Sequence, residues 1–278
     1  KVTGINFSKR PIHSTPFIYI EKCPECNTKL ERAEGEANHY CPNALGCPPQ
    51  IQGRIEHFIQ RKAMDIDSLG SETIKGLLDR NLISNYAQLY QLRFEDLNGL
   101  AFNSYNESTG EYSTRSLREK SAKNIISAIE KSKETPFEKV LFALGIRFVG
   151  QTVAEKLAQH FKHIEALSKA NYDDLIQVPE IGDRIAGSVI DFFQDELSQK
   201  ILNELISAGL RFELDEQDTL QSEILANKTF VVSGVFDQFS RDELKNSIKA
   251  NGGKVVSSIS AKLDFLIAGD KMGPAKLE

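Results

Sequence analysis

Four cysteines fall within one short stretch: Cys23, Cys26, Cys41 and Cys47. Their spacing is C-x2-C, then fourteen residues, then C-x5-C. Thiolates so spaced converge tetrahedrally on zinc, the first pair as a knuckle and the long gap as room for a short hairpin. The competing chemistries are a redox pair and two disulfides. A redox Cys-x-x-Cys opens a helix in a βαβ setting, which does not surround Cys23-Pro24-Glu25-Cys26. Disulfides are disfavoured in the cytoplasm, the compartment expected here. The expectation is a structural zinc held by four thiolates. Such a closed shell leaves no position for water, so this zinc is not catalytic. His39 lies near Cys41 but is surplus to a completed shell.

A second pattern is repeated. Leu69-Gly70-Ser71-Glu72-Thr73-Ile74 with Leu77 falls into one frame with Leu117-Arg118-Glu119-Lys120-Ser121-Ala122 and Ile125. Val149-Gly150-Gln151-Thr152-Val153-Ala154 with Leu157, and Ile181-Gly182-Asp183-Arg184-Ile185-Ala186 with Val189, complete the set. Each unit reads as a tight turn, with glycine expected at positive φ, followed by a helix. A helix start carries unpaired N–H groups and a partial positive charge, which suit a phosphate. The expected phosphate-binding residues are Gly70, Lys120, Arg147, Gly150, Gln151, Thr152, Gly182 and Arg184. The plainer alternative is four helical hairpins stacked for stability, with glycine serving only the turn. Arg118 replaces the glycine in the second unit, which leaves that unit distorted or purely structural. The longer step between positions 70 and 118 reads as a polar, loop-like insertion over residues 101–116.

The remaining chain divides around these patterns. Residues 1–20 alternate apolar and polar and read as two strands at the end of a sheet. The four-cysteine module takes 21–50. A helix follows with Ile51, Ile55, Phe58 and Ile59 on one face and Arg54, Arg61 and Lys62 on a solvated one. Residues 51–212 are the helical repeat region. Within it Thr135 reads as an N-cap before Pro136, Asn171 as another, and Gly209 as a C-terminal stop. Residues 213–227 are an acidic linker. Residues 228–278 alternate strand, helix and strand, with Ser240-Arg241-Asp242-Glu243 as a capping box, implying a parallel crossover. There Ser233 and Gly234 with Lys271 suit a phosphate, or equally an ordinary turn and a surface lysine. The fold class is mainly α and multi-domain, with a small zinc finger and a partial α/β domain.

The chain has 278 residues and a formal net charge of −5. Aromatic residues make up 8% and tryptophan is absent. A negative chain grips nucleic acid only through a local surface, built here largely from backbone amides. No apolar run is long enough to span a bilayer and no leader is visible, so no membrane partner is expected. The opening at Lys1 without Met reads as a fragment or a processed form.

The glycine units resemble the helix-hairpin-helix motif of DNA repair and ligation proteins, and residues 228–278 resemble a BRCT domain that stops short of its last strand and helix. The cysteine spacing, Lys62-Ala63-Met64-Asp65-Ile66-Asp67, Ala143-Leu144-Gly145-Ile146-Arg147 and Arg241-Asp242 with Gly252-Gly253 are together similar to the C-terminal part of bacterial NAD-dependent DNA ligases. That resemblance covers essentially the whole chain and makes residues 1–20 the end of an OB-fold. It implies a bacterial, nucleoid-associated enzyme that seals nicks in replication and repair, taking AMP from NAD with magnesium through upstream domains. It also implies nicked or duplex DNA as a sequence-independent partner, and a protein partner for the BRCT-like domain. The reactive lysine of that family lies in a K-x-D-G motif, and the nearest string here, Lys262-Leu263-Asp264-Phe265, lacks the glycine. No catalytic residue is therefore assigned, and the fragment alone is expected to be inactive. The alternative from another class is a non-catalytic repair scaffold built from the same modules.

Overall fold

The computed structural model describes the chain outside residues 1–3, 5, 12, 16, 17, 33, 34, 36, 107, 215–221, 223, 257, 261, 262 and 271–278. Helix α1 (Pro48–Ile59) leads into α2 (Ser71–Asp79), and the four-residue α3 (Phe94–Leu97) precedes a hairpin of β1 (Ala101–Asn106) and β2 (Glu111–Ser116). Then come α4 (Glu119–Ser132), α5 (Phe137–Ala143), α6 (Gln151–Phe161), α7 (Ile164–Lys169), α8 (Tyr172–Ile176), α9 (Asp183–Gln194) and α10 (Glu196–Ser207). Four helix pairs pack as hairpins: α1 with α2, α3 with α4, α5 with α6, and α8 with α9.

The repeated apolar positions make the core. Leu69, Leu117, Val149 and Ile181 are buried in the turns, and Ile74, Ala122, Ala154 and Ala186 are buried one helical turn later. Leu77, Ile125, Leu157 and Val189 extend the stripe, and all these residues belong to one continuous core running from Ile55 to Phe212. Each buried Leu, Ile or Val contributes roughly 1.5–3 kcal/mol relative to exposure. Alanine one turn after the cap lets the paired helices approach closely. Asn171 caps α8 as expected, its side chain accepting from Asp174 N at 3.0 Å. Gly209 follows α10 with φ 88 and stops it.

The C-terminal body has its own small core of Phe230, Val232 and Ile248. Strands β3 (Thr229–Ser233), β4 (Lys254–Val255) and β5 (Phe265–Ala268) form one sheet in the order β4-β3-β5, all parallel. Helix α11 (Arg241–Ala250) makes the crossover, with the Ser240–Glu243 capping box in place.

Several expectations are corrected. Residues 101–116 are not loop-like. They form an antiparallel hairpin in register from Ala101↔Ser116 to Asn106↔Glu111. Its polar residues hid it, because neither face presents an apolar row. The cap of α5 is Pro136, not Thr135. In residues 1–20 the described part holds a 3-10 turn at Phe7–Lys9 and no strand, while Val2, Ile5, Pro16 and Phe17 lie outside the described residues. Glu213 and Leu214, read as linker, pair with the helical body, since Leu214 N donates to Lys162 O at 2.9 Å. Most of the remaining acidic linker lies outside the described residues.

Candidate nucleic-acid interface and metal centre

The four cysteine sulfurs lie within 4.8 Å of one another. Cys23 and Cys47 stand 3.9 Å apart and Cys26 and Cys41 3.4 Å apart. Tetrahedral zinc with bonds of about 2.3 Å places its sulfurs roughly 3.8 Å apart, so the observed spacing fits the ion. The knuckle closes because Asn27 N donates to Cys23 O at 2.9 Å, with Asn27 at φ 58. The Thr28 hydroxyl, 3.2 Å from Cys26, holds that thiol down to about 6, whereas burial pushes Cys41 up to about 12. A dication bound by Cys23, Cys26, Cys41 and Cys47 would supply the charge that holds all four as thiolates. His39 is not in the cluster and stacks on Tyr19, at 5.4 Å between centroids.

Cys47 also serves as the N-cap of α1, with prolines in the first turn. Gln50 Nε2 reaches back to Cys41 O at 3.0 Å. The metal module therefore joins the first repeat helix without a linker.

The repeat turns differ from expectation in one instructive way. Gly70, Gly150 and Gly182 have φ of −91, −82 and −105, not positive values. The left-handed residue is two positions earlier: Ser68 (φ 67), Phe148 (φ 66) and Glu180 (φ 70). The glycines are extended N-caps, and a Cβ added at any of the three would meet nothing within 4 Å. Arg118 occupies the same conformation, φ −89 and ψ 161, so its unit is not distorted at the cap. Its approach differs, because strand β2 feeds it in place of a left-handed turn.

None of the four repeat helices has a side-chain cap. Helices α8, α10 and α11, by contrast, are capped by Asn171, Asp195 and Ser240. Helices α1, α5 and α7 also lack a side-chain cap, so what sets three of the repeat turns apart is the glycine at the cap itself. Gly70, Gly150 and Gly182 are exposed, as are Gln151, Thr152 and Lys120 in the first turns of α6 and α4. Gln151 Nε2 also donates to Lys62 O at 3.4 Å, which brings the first and third turns together.

Arg147 and Arg184 converge on Phe148, their guanidinium carbons 4.9 and 4.6 Å from its ring centroid. Arg147 also stands 5.3 Å from the ring of Tyr40, in the metal module. Arg147, Phe148 and Arg184 line a groove of about 680 Å³ whose other wall is Pro42–Leu45 of that module. Arg54, read as solvated, lines it too, and so do Asp183, Asp191 and Asp195. Lys120 is not part of this groove. The sequence reading missed Arg54, Tyr40 and Phe148. Only Phe148 carried a signal, as an aromatic beside Arg147 in a turn.

In the C-terminal body, Ser233 is buried and Gly269 N donates to its carbonyl at 2.8 Å. Gly234 has φ 102, and a Cβ there would collide with the backbone of Gly269. Packing alone accounts for this glycine. Lys271, expected to join them, lies outside the described residues.

Comparison with known proteins follows the same order along the chain. The NAD-dependent DNA ligase C4 zinc finger domain matches residues 22–48, the helix-hairpin-helix motif matches 139–202, and the BRCT domain matches 220–278. The DNA ligase of Flavobacterium johnsoniae is 56% identical over 279 residues, which is 100% of this chain and 40% of the relative. That of Flavobacterium psychrophilum is 52% identical and that of Bacteroides fragilis 49%, with the same coverage. The chain thus spans about two fifths of the length of these relatives. With a zinc finger, helix-hairpin-helix units and a BRCT domain in one order and half or more of its residues shared with the nearest of these ligases, the chain corresponds over its whole length to the C-terminal portion of NAD-dependent DNA ligases.

Proposed function

We propose that this chain is the DNA-gripping portion of an enzyme that seals nicks in duplex DNA at the expense of NAD, and that it is inactive alone. The observation that supports it best is the open glycine cap shared by three of the repeat turns. Gly70, Gly150 and Gly182 start helices with no side-chain cap and no neighbour where a Cβ would stand. Their negative φ means the turn does not require glycine. A backbone that a phosphate must approach closely does require it. Amides meet phosphates whatever the base, so binding is sequence-independent. Arg147 and Arg184 add charge beside the third and fourth turns. The zinc is structural and holds one wall of the groove.

Duplex binding followed by fluorescence anisotropy across a salt series tests this. With about three to six phosphates neutralised, log K should fall against log salt with a slope of roughly −3 to −5. Gly150→Ser and Gly182→Ser should each weaken binding roughly threefold to tenfold, because the new hydroxyl takes the N–H groups a phosphate would use. NAD should leave no AMP adduct on the chain, and removal of this portion from the intact protein should abolish sealing. Salt-independent or base-specific binding would overturn the reading, as would adenylation of the fragment.

A further inference from the structure

Phe148 is an exposed aromatic in a backbone conformation that aromatics avoid. Its φ is 66, in the left-handed region where a Cβ crowds the following carbonyl. The ring is 43% exposed, while Ile146 and Val149 on either side of the turn are buried. A residue serving the core would point inward like these two. The equivalent left-handed positions of the first and fourth turns are the polar Ser68 and Glu180, so the turn sets the backbone and Phe148 differs by being an exposed aromatic there. Around Phe148 stand two guanidinium groups, 4.9 and 4.6 Å from its centroid. The adjoining cap, Gly150, opens one of the uncapped helices.

We propose that Phe148 is a groove-contacting residue that presses its ring edge into the minor groove of duplex DNA, with Arg147 and Arg184 on its flanks. The inference rests on the duplex-binding reading and adds an apolar, salt-independent contact to it. Guanidinium groups already engage the ring face, so the edge is what remains to meet a partner. That edge has no donor or acceptor and reads no base. Apolar side chains set among arginines are how proteins fill the narrow groove between phosphate ridges. Amides at the neighbouring helix start are placed to hold one of those ridges.

The test compares the chain with Phe148→Ala, Phe148→Gly and Arg147→Ala on a duplex and on a single strand of the same sequence, across a salt series. Phe148→Ala should bind the duplex roughly tenfold more weakly at every salt, with the slope unchanged, since an uncharged contact releases no counterions. Arg147→Ala should make the slope shallower by about 1. Phe148→Gly should melt no lower than the unsubstituted chain, because the left-handed conformation suits glycine. Single-strand affinity should be the same for Phe148→Ala and the parent. Unchanged duplex binding by Phe148→Ala overturns the proposal. So does a shallower slope for that variant, which would make the ring only a spacer for the arginines. A melting point several degrees lower in Phe148→Gly makes the ring structural and also overturns it. Equal losses on both strand forms mean base stacking and overturn it too. A parent chain that binds no duplex sinks the wider reading as well, whereas a binding parent with an indifferent Phe148→Ala sinks this one alone.

Discussion

At Gly253 an added Cβ would stand 2.6 Å from Ile248 Cγ2 and 2.9 Å from a ring carbon of Phe230. At Gly70 it would meet nothing within 4 Å. Packing therefore requires the first glycine, whereas nothing within the chain requires the second, which the proposed phosphate contact would. Gly253→Ala should lower the stability of the C-terminal body by about 1–3 kcal/mol, the usual cost of overpacking. Gly70→Ser should leave stability unchanged or raise it by a few tenths of a kcal/mol, because serine is the better N-cap. Denaturant melts of both variants check the pair, and a Gly70→Ser chain as unstable as Gly253→Ala would return that glycine to a structural role. The positions of the repeat glycines were legible in the sequence, but their conformation was not. The left-handed residue of each turn is Ser68, Phe148 or Glu180, and none of these types favours positive φ strongly enough to betray it. Arg54 was unreadable for another reason. Its role in the groove comes from a contact surface between segments distant in sequence.

The repeat helices were legible because each carries two signals at once, a cap position and an apolar stripe at helical spacing. Strands β3 and β5 were legible as part of the strand, helix, strand alternation of residues 228–278. The hairpin β1–β2 was not, since its pairing depends on backbone hydrogen bonds and not on an apolar face. It is rooted in the helical body: Gly99 N donates to Leu117 O and Leu117 N to Leu100 O, both at 2.9 Å. Phe102 packs against Gly76 of α2, where an added Cβ would stand 3.0 Å from Phe102 Cβ. Only the root of the hairpin should therefore matter for stability. Replacing residues 104–113 by a short Gly-Ser turn should cost less than about 1 kcal/mol, since exposed two-stranded ribbons contribute little by themselves. Phe102→Ala should cost more, roughly 1–3 kcal/mol, from lost burial against α2. Thermal melts of the two variants should separate them, and a larger loss from the shortened tip would refute this division.

Across the molecule, the metal module and the helical core are held by different forces. The core from Ile55 to Phe212 includes none of the four cysteines. The module instead supplies the Pro42–Leu45 wall of the groove and places Tyr40 beside Arg147. Removing zinc with a strong chelator, or substituting Cys41→Ser, should leave the main helical unfolding transition in place. Residues 21–47 should lose amide protection, since a metal supplies most of the folding free energy of so small a module. Duplex affinity should fall severalfold through loss of that wall. Far-ultraviolet circular dichroism, amide exchange and anisotropy on one chelated sample give all three readouts, and full protection of residues 21–47 without metal would refute the assignment. Arg54, Arg147 and Arg184 share one groove with Asp183, Asp191 and Asp195, so with a net charge of −5 the DNA grip proposed above falls largely to backbone amides.

Cys47 ends the metal knot and begins α1 with no residue between. The two are therefore locked in phase, like a key cut onto its own shaft. One residue inserted after Cys47 would turn the sulfur cage by about 100° around the helix axis relative to Ile55 and Phe58, which are seated in the core. A single-residue insertion at this junction would disorient the groove wall even with every ligand and every core residue present. The exposed turn at residues 108–110 should accept added length, whereas this junction should accept none.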